Sequence, residues 1–235
     1  MNAAVIVAGG SGERSGLAGG KQLAPIAGKP VLAHTLRAVA GCGLIDHIVV
    51  VAHPDRVAEY RQTAVAPVAP QQPVEVVAGG ATRQLSVAAG LAAVPSDAEV
   101  IAVHDGARPL ITPDVITDAI EALGADPTVD GVVVGHPAYD TIKVVDADGR
   151  VMRTADRATL WIAQTPQVFR ASALRQAYAS AAAGGLERTD DAALVEAAGG
   201  TVLMVPGPRD NIKVTVPEDL ALVERVLAER GRVRG

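Results

Sequence analysis

Unbroken apolar runs recur along the chain at Ala3–Ala8, His47–Ala52, Val74–Ala78, Val100–His104, Gly131–Gly135 and Thr201–Val205. A short β-rich run of this kind predicts a buried strand. Helix-like stretches lie between most of them. Pro30 stands at a helix start, and Val31, Leu32, Thr35, Leu36 and Val39 follow at helical spacing until Gly41 and Gly43 stop it. Leu85, Ala88, Ala89 and Leu91 repeat the spacing, as do Val115, Ile116, Ala119, Ile120 and Leu123, and both sets read as core faces. Strands alternating with helices predict an α/β fold with a mostly parallel central sheet. The stretch Ala64–Pro73, rich in Pro, Ala and Gln, reads as a surface connection.

One segment, Tyr139–Leu160, breaks the rhythm. Thr141–Val145 and Arg150–Thr154 flank Asp146-Ala147-Asp148-Gly149, a turn sequence with glycine where a positive φ is needed, so a β-hairpin is expected. Such a hairpin has no place in a parallel sheet. It is expected to project as an arm over 139–160 and to clasp a second subunit, which would bury its apolar face.

Composition bounds the rest. With 235 residues, 49% hydrophobic and 20% charged, the chain has enough apolar material for one domain spanning 1–235, with no need for a disulfide or a structural metal. A formal net charge of −5 argues against nucleic-acid partners and an anionic membrane surface, both of which call for a basic face. Cys42 is the single cysteine, which suits a reducing compartment. The apolar start is too short for a signal peptide or a membrane span, and a cytoplasmic location is the default expectation.

After its first strand the chain reads Gly9-Gly10-Ser11-Gly12-Glu13-Arg14, then Gly16, Gly19, Gly20 and Lys21. Glycines after a strand let backbone N–H groups approach a polyanion with no Cβ in the way. Two known phosphate loops fit poorly. Ser15 stands where the dinucleotide fingerprint needs its third glycine or alanine, and no acidic residue closes a second strand at the required distance. The Walker loop needs four residues between its glycines and Ser or Thr after its lysine, whereas Gly16 and Gly20 enclose three and Gln22 follows Lys21. Taken alone, the loop is equally a nucleotide site or an ordinary strand-to-helix turn.

Later segments add polar groups beside strand ends. Asp105-Gly106-Ala107-Arg108-Pro109 follows a strand, where open α/β sheets bind ligands, although a plain Asp–Arg turn pairing is the alternative. Gly79-Gly80-Ala81-Thr82-Arg83 plays the same part after another strand, with Ser86 one turn into the next helix; a helix cap with Arg83 in solvent is the alternative there. Arg14, Lys21, Arg108, Arg157 and Lys213 are many cations for an acidic chain to spread over loops, and a substrate with several phosphates would explain their convergence. His34, His47, His53, His104 and His136 show no zinc-ligand spacing, and no Gly-x-Ser-x-Gly elbow is present. If the acceptor is itself a phosphate it needs no general base, and catalysis becomes charge neutralisation and alignment.

Nearly end to end, the chain resembles the 2-C-methyl-D-erythritol 4-phosphate cytidylyltransferase family. The blocks that carry the resemblance are Ala8 to Arg14 with Lys21-Gln22, Gly79-Gly80 with Arg83 and Ser86, His104 to Pro109, Asp140-Thr141-Ile142-Lys143, Gln164-Thr165-Pro166-Gln167, Thr189-Asp190-Asp191-Ala192, and Asp210 to Thr215 before Pro217-Glu218-Asp219-Leu220. The resemblance implies a Rossmann-like nucleotidyltransferase domain that binds CTP with Mg²⁺, accepts a polyol phosphate and forms a homodimer through the arm. It implies CTP contacts from Ala8, Gly9, Gly10, Gly12, Arg14, Lys21, Gly80, Arg83, Ser86 and Asp105. Acceptor contacts would come from Asp105, Arg108 and Lys213, with Thr141 and Arg157 reaching over from the partner subunit. Arg14, Lys21 and Lys213 are the catalytic candidates. Mg²⁺ would be held mainly by the CTP phosphates, with Asp105 as the protein ligand.

The Ala8-Gly9-Gly10 opening and the Asp105-Gly106 start of the second block also occur in ribitol 5-phosphate cytidylyltransferases, which stand as the alternative. A catalytically silent nucleotide-binding module is a further one.

Overall fold

The computed structural model describes residues 1–10 and 20–233. In chain order the elements are β1 (Asn2–Val7), β2 (Pro25–Ile26), β3 (Lys29–Pro30), α1 (Val31–Ala40), β4 (His47–Ala52), α2 (Val57–Tyr60), β5 (Val74–Ala78), α3 (Arg83–Ala93), β6 (Val100–Asp105), α4 (Pro113–Ala125), β7 (Gly131–Pro137), β8 (Lys143–Val145), β9 (Val151–Thr154), β10 (Trp161–Arg170), α5 (Ala171–Gly184), α6 (Asp191–Ala197), β11 (Val202–Pro206) and α7 (Pro217–Val233). Among the described residues, seven strands form one sheet in the order β11-β7-β10-β6-β1-β4-β5. All run parallel except β10, which is antiparallel to both β6 and β7.

The apolar runs are continuous because the sheet is covered on both faces. In β1, Ala4 and Ile6 join Ile48, Val50 and Ala102 under α1 and α4. The alternate residues Ala3, Val5 and Val7 join Val49, Val51, Ile101 and Val103 under α3 and α5. A third, smaller core seats α7: Val223 packs with Val214, Ala24, Ile26, Val31, Ala107 and Leu110. That cluster ties the segment after Lys21 to the segment around Lys213.

The predicted strands form where the apolar runs lie, with differences only at their ends. Helix α1 buries Val31, Leu32, Thr35, Leu36 and Val39, the residues its spacing predicts. Three expectations are corrected. Leu85 is 53% exposed and Ala88 and Ala89 are half-buried; Leu91 is buried as predicted, but it shares the buried face of α3 with Ser86, Val87 and Gly90. The cause is Gly90: a Cβ there would lie 2.5 Å from Val5 Cγ1, so the bare glycine lets the helix settle onto β1. Ala64 and Val65 are buried in the main core beside Tyr60, so the stretch Ala64–Pro73 begins as packed helix and not as a bare connection. Strand β10 has no counterpart among the predicted runs.

The hairpin is present. Strands β8 and β9 pair with each other in a separate two-stranded sheet, and every residue of both is exposed. Gly149 has φ +80°, and Asp146 Oδ1 accepts the N–H groups of Asp148 and Arg150, which closes the turn.

From β1 the chain moves outward through β4 to β5, then returns to place β6 on the other side of β1. Val7 and Asp105, at the carboxyl ends of these two strands, are register partners. A reversal of strand order opens a crevice beyond the strand ends.

Candidate active site

A cleft of about 880 Å³ occupies that crevice. The loops after β1 and β5 form one wall because their glycines permit close backbone packing. A Cβ on Gly9 would sit 3.1 Å from the Ala52 carbonyl oxygen, and one on Gly80 would sit 2.5 Å from Leu85 Cβ. Ser86 Oγ accepts the Gly80 N–H at 3.1 Å and pins the loop to α3, whose first turn is capped by Thr82 through the Leu85 N–H.

Asp105 is the electrostatic centre of the cleft. Its Oδ2 meets Lys213 Nζ at 2.7 Å and Arg108 Nε at 3.7 Å, while its Oδ1 meets Arg83 Nε at 3.3 Å. Burial opposes ionisation, but Arg83 and Lys213, with Arg108, overcome it and hold the carboxyl well below the usual carboxylate range. Its backbone N–H is donated to Thr165 Oγ1 at 3.0 Å, and Thr165 Oγ1 lies 3.1 Å from His104 Nδ1. The Arg108 carbonyl, 3.4 Å from His104 Nε2, can only accept, so Nε2 carries the ring proton and the Thr165 hydroxyl donates to Nδ1. Burial pushes His104 down to about 4, so it is neutral at physiological pH.

Arg83 is not the solvent-facing residue of the helix-cap alternative, although Thr82 does cap. Its Nη2 meets Asp191 Oδ2 at 2.8 Å, and its charge is held firmly despite burial by Asp191 and Asp105. Asn211, fully buried, donates its side-chain amide to the Thr165 carbonyl at 2.8 Å and to Gln164 Oε1 at 3.1 Å, and its own carbonyl accepts Arg108 Nη1 at 2.8 Å. These bonds fix the segment that presents Lys213.

Of the residues singled out from sequence, Gly9, Gly10, Lys21, Gly80, Arg83, Ser86, Asp105 and Lys213 line the one cleft. Ala8 lies fully buried behind it, its carbonyl accepting the Tyr60 hydroxyl at 3.2 Å. Arg108 stands beside Asp105 but is mostly buried. Gly12 and Arg14 lie outside the described residues. Within a single chain Arg157 sits at the root of the arm, donating to the Tyr139 carbonyl at 3.0 Å, and neither it nor Thr141 is among the residues that line this chain's own cleft. Gln22 and Thr215, which belong to blocks of the resemblance but carry no role in it, also line the cleft, as does His53. Asp191 is the principal residue not singled out as a site; its signal was the paired acids of the block Thr189 to Ala192.

Among the described lining residues Asp105 is the one carboxylate, and three cations already face it. No grouping of three His, Cys, Asp or Glu suited to a metal occurs among the described residues. This donor set does not make a resident metal site. No helix among the described residues is long and apolar enough to cross a membrane.

An open α/β sheet with a glycine-walled, cationic cleft at the reversal of its strand order defines a Rossmann-like nucleotide-binding protein. The match to known proteins is more specific. The family model described as IspD, 2-C-methyl-D-erythritol 4-phosphate cytidylyltransferase, matches residues 2–229, and the chain belongs to this family. Among curated relatives of that name, one from Thermosynechococcus vestitus is 44% identical over 96% of this chain and 95% of its own length. Another, from Nostoc punctiforme, is 42% identical over 97% and 98%. The crystal structure of 4-diphosphocytidyl-2C-methyl-D-erythritol synthase from Anaerococcus prevotii superposes with a TM-score of 0.84 at 28% identity, covering 97% of this chain and 96% of that one. That of the Thermus thermophilus cytidylyltransferase gives 0.75 at 29%, covering 95% and 98%.

Proposed function

We propose that this protein transfers CMP from CTP to 2-C-methyl-D-erythritol 4-phosphate, giving 4-diphosphocytidyl-2-C-methyl-D-erythritol and pyrophosphate. The observation that carries the reading is that Lys21 and Lys213, far apart in sequence, line one cleft together with Gly9, Gly10 and Gly80. Relatives sharing 39–44% of their residues with this chain are named for the same activity.

The acceptor phosphate is anionic near neutral pH and attacks without a general base. One of its oxygens forms a bond to the α-phosphorus of CTP, the bond from that phosphorus to the bridging oxygen breaks, and pyrophosphate leaves with the electron pair. The chain's work is to align the two anions and neutralise the charge that builds between them. Lys21 and Arg14 are assigned to the triphosphate. Lys213 is the cation nearest Asp105, and these two with Arg108 receive the acceptor. Ala8, Gly9, Gly10, Gly12, Gly80, Arg83 and Ser86 complete the nucleotide side. Magnesium enters as the chelate of the CTP phosphates, as part of the substrate.

The arm completes the site in a second copy. Val144, Val145, Val151 and Met152 are exposed on strands that pair with no other part of this chain's described sheets, an apolar surface suited to a homodimer. Docked there, Thr141 and Arg157 would reach the partner's acceptor site.

The test is pyrophosphate release from CTP and Mg²⁺ with methylerythritol phosphate, run in parallel with ribitol 5-phosphate. Turnover with the first acceptor is expected. Turnover with ribitol 5-phosphate alone would transfer the assignment to that substrate, and release with neither would overturn it.

A further inference from the structure

Arg83 stands in the cleft wall but is not free to follow a substrate. Its two ends are committed to different carboxylates: Nε to Asp105 Oδ1 at 3.3 Å, and Nη2 to Asp191 Oδ2 at 2.8 Å. Asp191 has no exposed surface, and its second oxygen accepts the hydroxyl of Tyr178, which is itself buried. Gln167 then fixes the backbone that carries Asp191. Its Oε1 accepts the Ala192 N–H at 3.0 Å, and its Nε2 donates to Asp190 Oδ2 at 2.9 Å. Asp190 uses its other oxygen to cap α6 through the Ala193 N–H at 3.0 Å. From α5 to α6, the rear of the guanidinium is held by a hydrogen-bonded network with a partner for each carboxylate oxygen.

Stability alone does not account for this arrangement. Burying a carboxylate costs free energy that its ion pair repays only in part, and apolar residues of similar volume tie helices together as well or better. The front of the network gives it a use. Asp105 divides its oxygens, Oδ1 toward Arg83 and Oδ2 toward Lys213 and Arg108. Lys213 makes the shortest of these contacts, and its side chain is 36% exposed, so it is the cation an arriving phosphate would draw away. Arg83, anchored behind, would stay.

We propose that Arg83, locked from the rear by Asp191 and Tyr178, is a positioning residue that keeps Asp105 in place while Lys213 passes from that carboxylate to the acceptor phosphate. The proposal rests on reading the cleft as a phosphate-transfer site. It assigns Asp191 and Tyr178 a part in turnover although neither lines the cleft.

Tyr178→Phe removes a single hydroxyl and leaves the ring's packing intact. It is expected to lower kcat by about 3- to 30-fold and to raise KM for the acceptor by more than KM for CTP. Arg83→Lys is not a rescue, because one ammonium cannot span two carboxylates as a planar guanidinium does, and its loss should be at least as large. In the Arg83→Lys background, Tyr178→Phe should then add no further loss. Losses that multiply, or wild-type kinetics in Tyr178→Phe, would overturn the relay.

A readout independent of turnover is the ¹⁵N–¹H resonance of Arg83 Nε–H in the whole protein, assigned by its disappearance in Arg83→Lys. It should be slow to exchange and should shift in both Tyr178→Phe and Asp191→Asn. An unmoved resonance in Tyr178→Phe would overturn the proposal whatever the kinetics, and stays readable if Asp191→Asn fails to fold. Absence of wild-type turnover, by contrast, would strike the transferase reading, while the spectrum still judges the relay.

Discussion

His104 and Asp105 are consecutive and both buried, yet they hold opposite relations to charge. Burial neutralises His104, whereas three cations keep Asp105 ionised against the same burial. Each has a consequence for stability against pH. His104 binds a proton near 6.5 when unfolded but only near 4 when folded, so its contribution is complete above 6.5 and declines as pH falls from 6.5 to 4. The full loss is about 3 kcal/mol. His34, also depressed by burial, adds to the same slope. Urea unfolding measured across this range should therefore give a shallower acid slope in His104→Gln than in the wild type; equal slopes would mean that His104 does not titrate this way. Asp105 acts lower, its stabilisation being lost only as pH falls below the ordinary carboxylate range. For turnover, Lys21→Ala or Lys213→Ala should each reduce kcat by about 10²–10³, the scale of losing one preorganised charge donor. Near-wild-type rates in either variant would remove that lysine from the mechanism.

At the scale of elements, the parallel strands were legible because a strand buried on both faces must be apolar throughout. Strand β10 was not, since it buries Gln164, Thr165 and Gln167 and passes through Pro166. Those polar residues are buried because they brace Asp105, Asn211 and Asp190, partners that no local pattern reveals. The face of α3 was misread for a related reason: its buried stripe runs through a serine that serves the loop and a glycine that serves the packing. The candidate site was legible as single residues beside strand ends, but the bond from Arg83 to Asp191 joins residues 108 positions apart and comes only from the fold. Helix α7 has a role that its sequence alone did not suggest. Glu224 accepts the Ala27 N–H at 3.2 Å, and Asp219 accepts the Thr215 N–H at 2.7 Å, so one helix holds both lysine-bearing segments. Val223→Ala, at the centre of that small core, should cost about 1–3 kcal/mol and raise KM for CTP as well. Chemical denaturation together with initial-rate kinetics would check both effects, and an unchanged KM would show that the helix does not set the spacing.

For the whole molecule, the question is whether one chain contains a complete site. If Arg157 works in the partner's cleft, mixing Lys213→Ala chains with Arg157→Ala chains should restore activity that neither has alone. Random pairing makes half the dimers mixed, each with one intact cleft, and recovery should approach about a quarter of the wild-type rate. No recovery after exchange of subunits would place Arg157 in its own chain's site. Gel filtration should give a mass of about twice 23.9 kDa.

The arm leaves the sheet from β7 and re-enters it at β10, and these two strands are antiparallel neighbours in which Pro137 faces Trp161. Just outside that pair, the Ala138 N–H meets the Leu160 carbonyl at 2.8 Å, so the insertion is closed at its neck like a drawstring. Residues 139–160 are thus an enlarged hairpin loop whose length the sheet never senses, and loop closure grows costlier only slowly with length. Trimming them to a tight turn should leave a stable, monomeric scaffold whose nucleotide half survives intact, while a foreign hairpin grafted onto the same neck would choose a new companion for it.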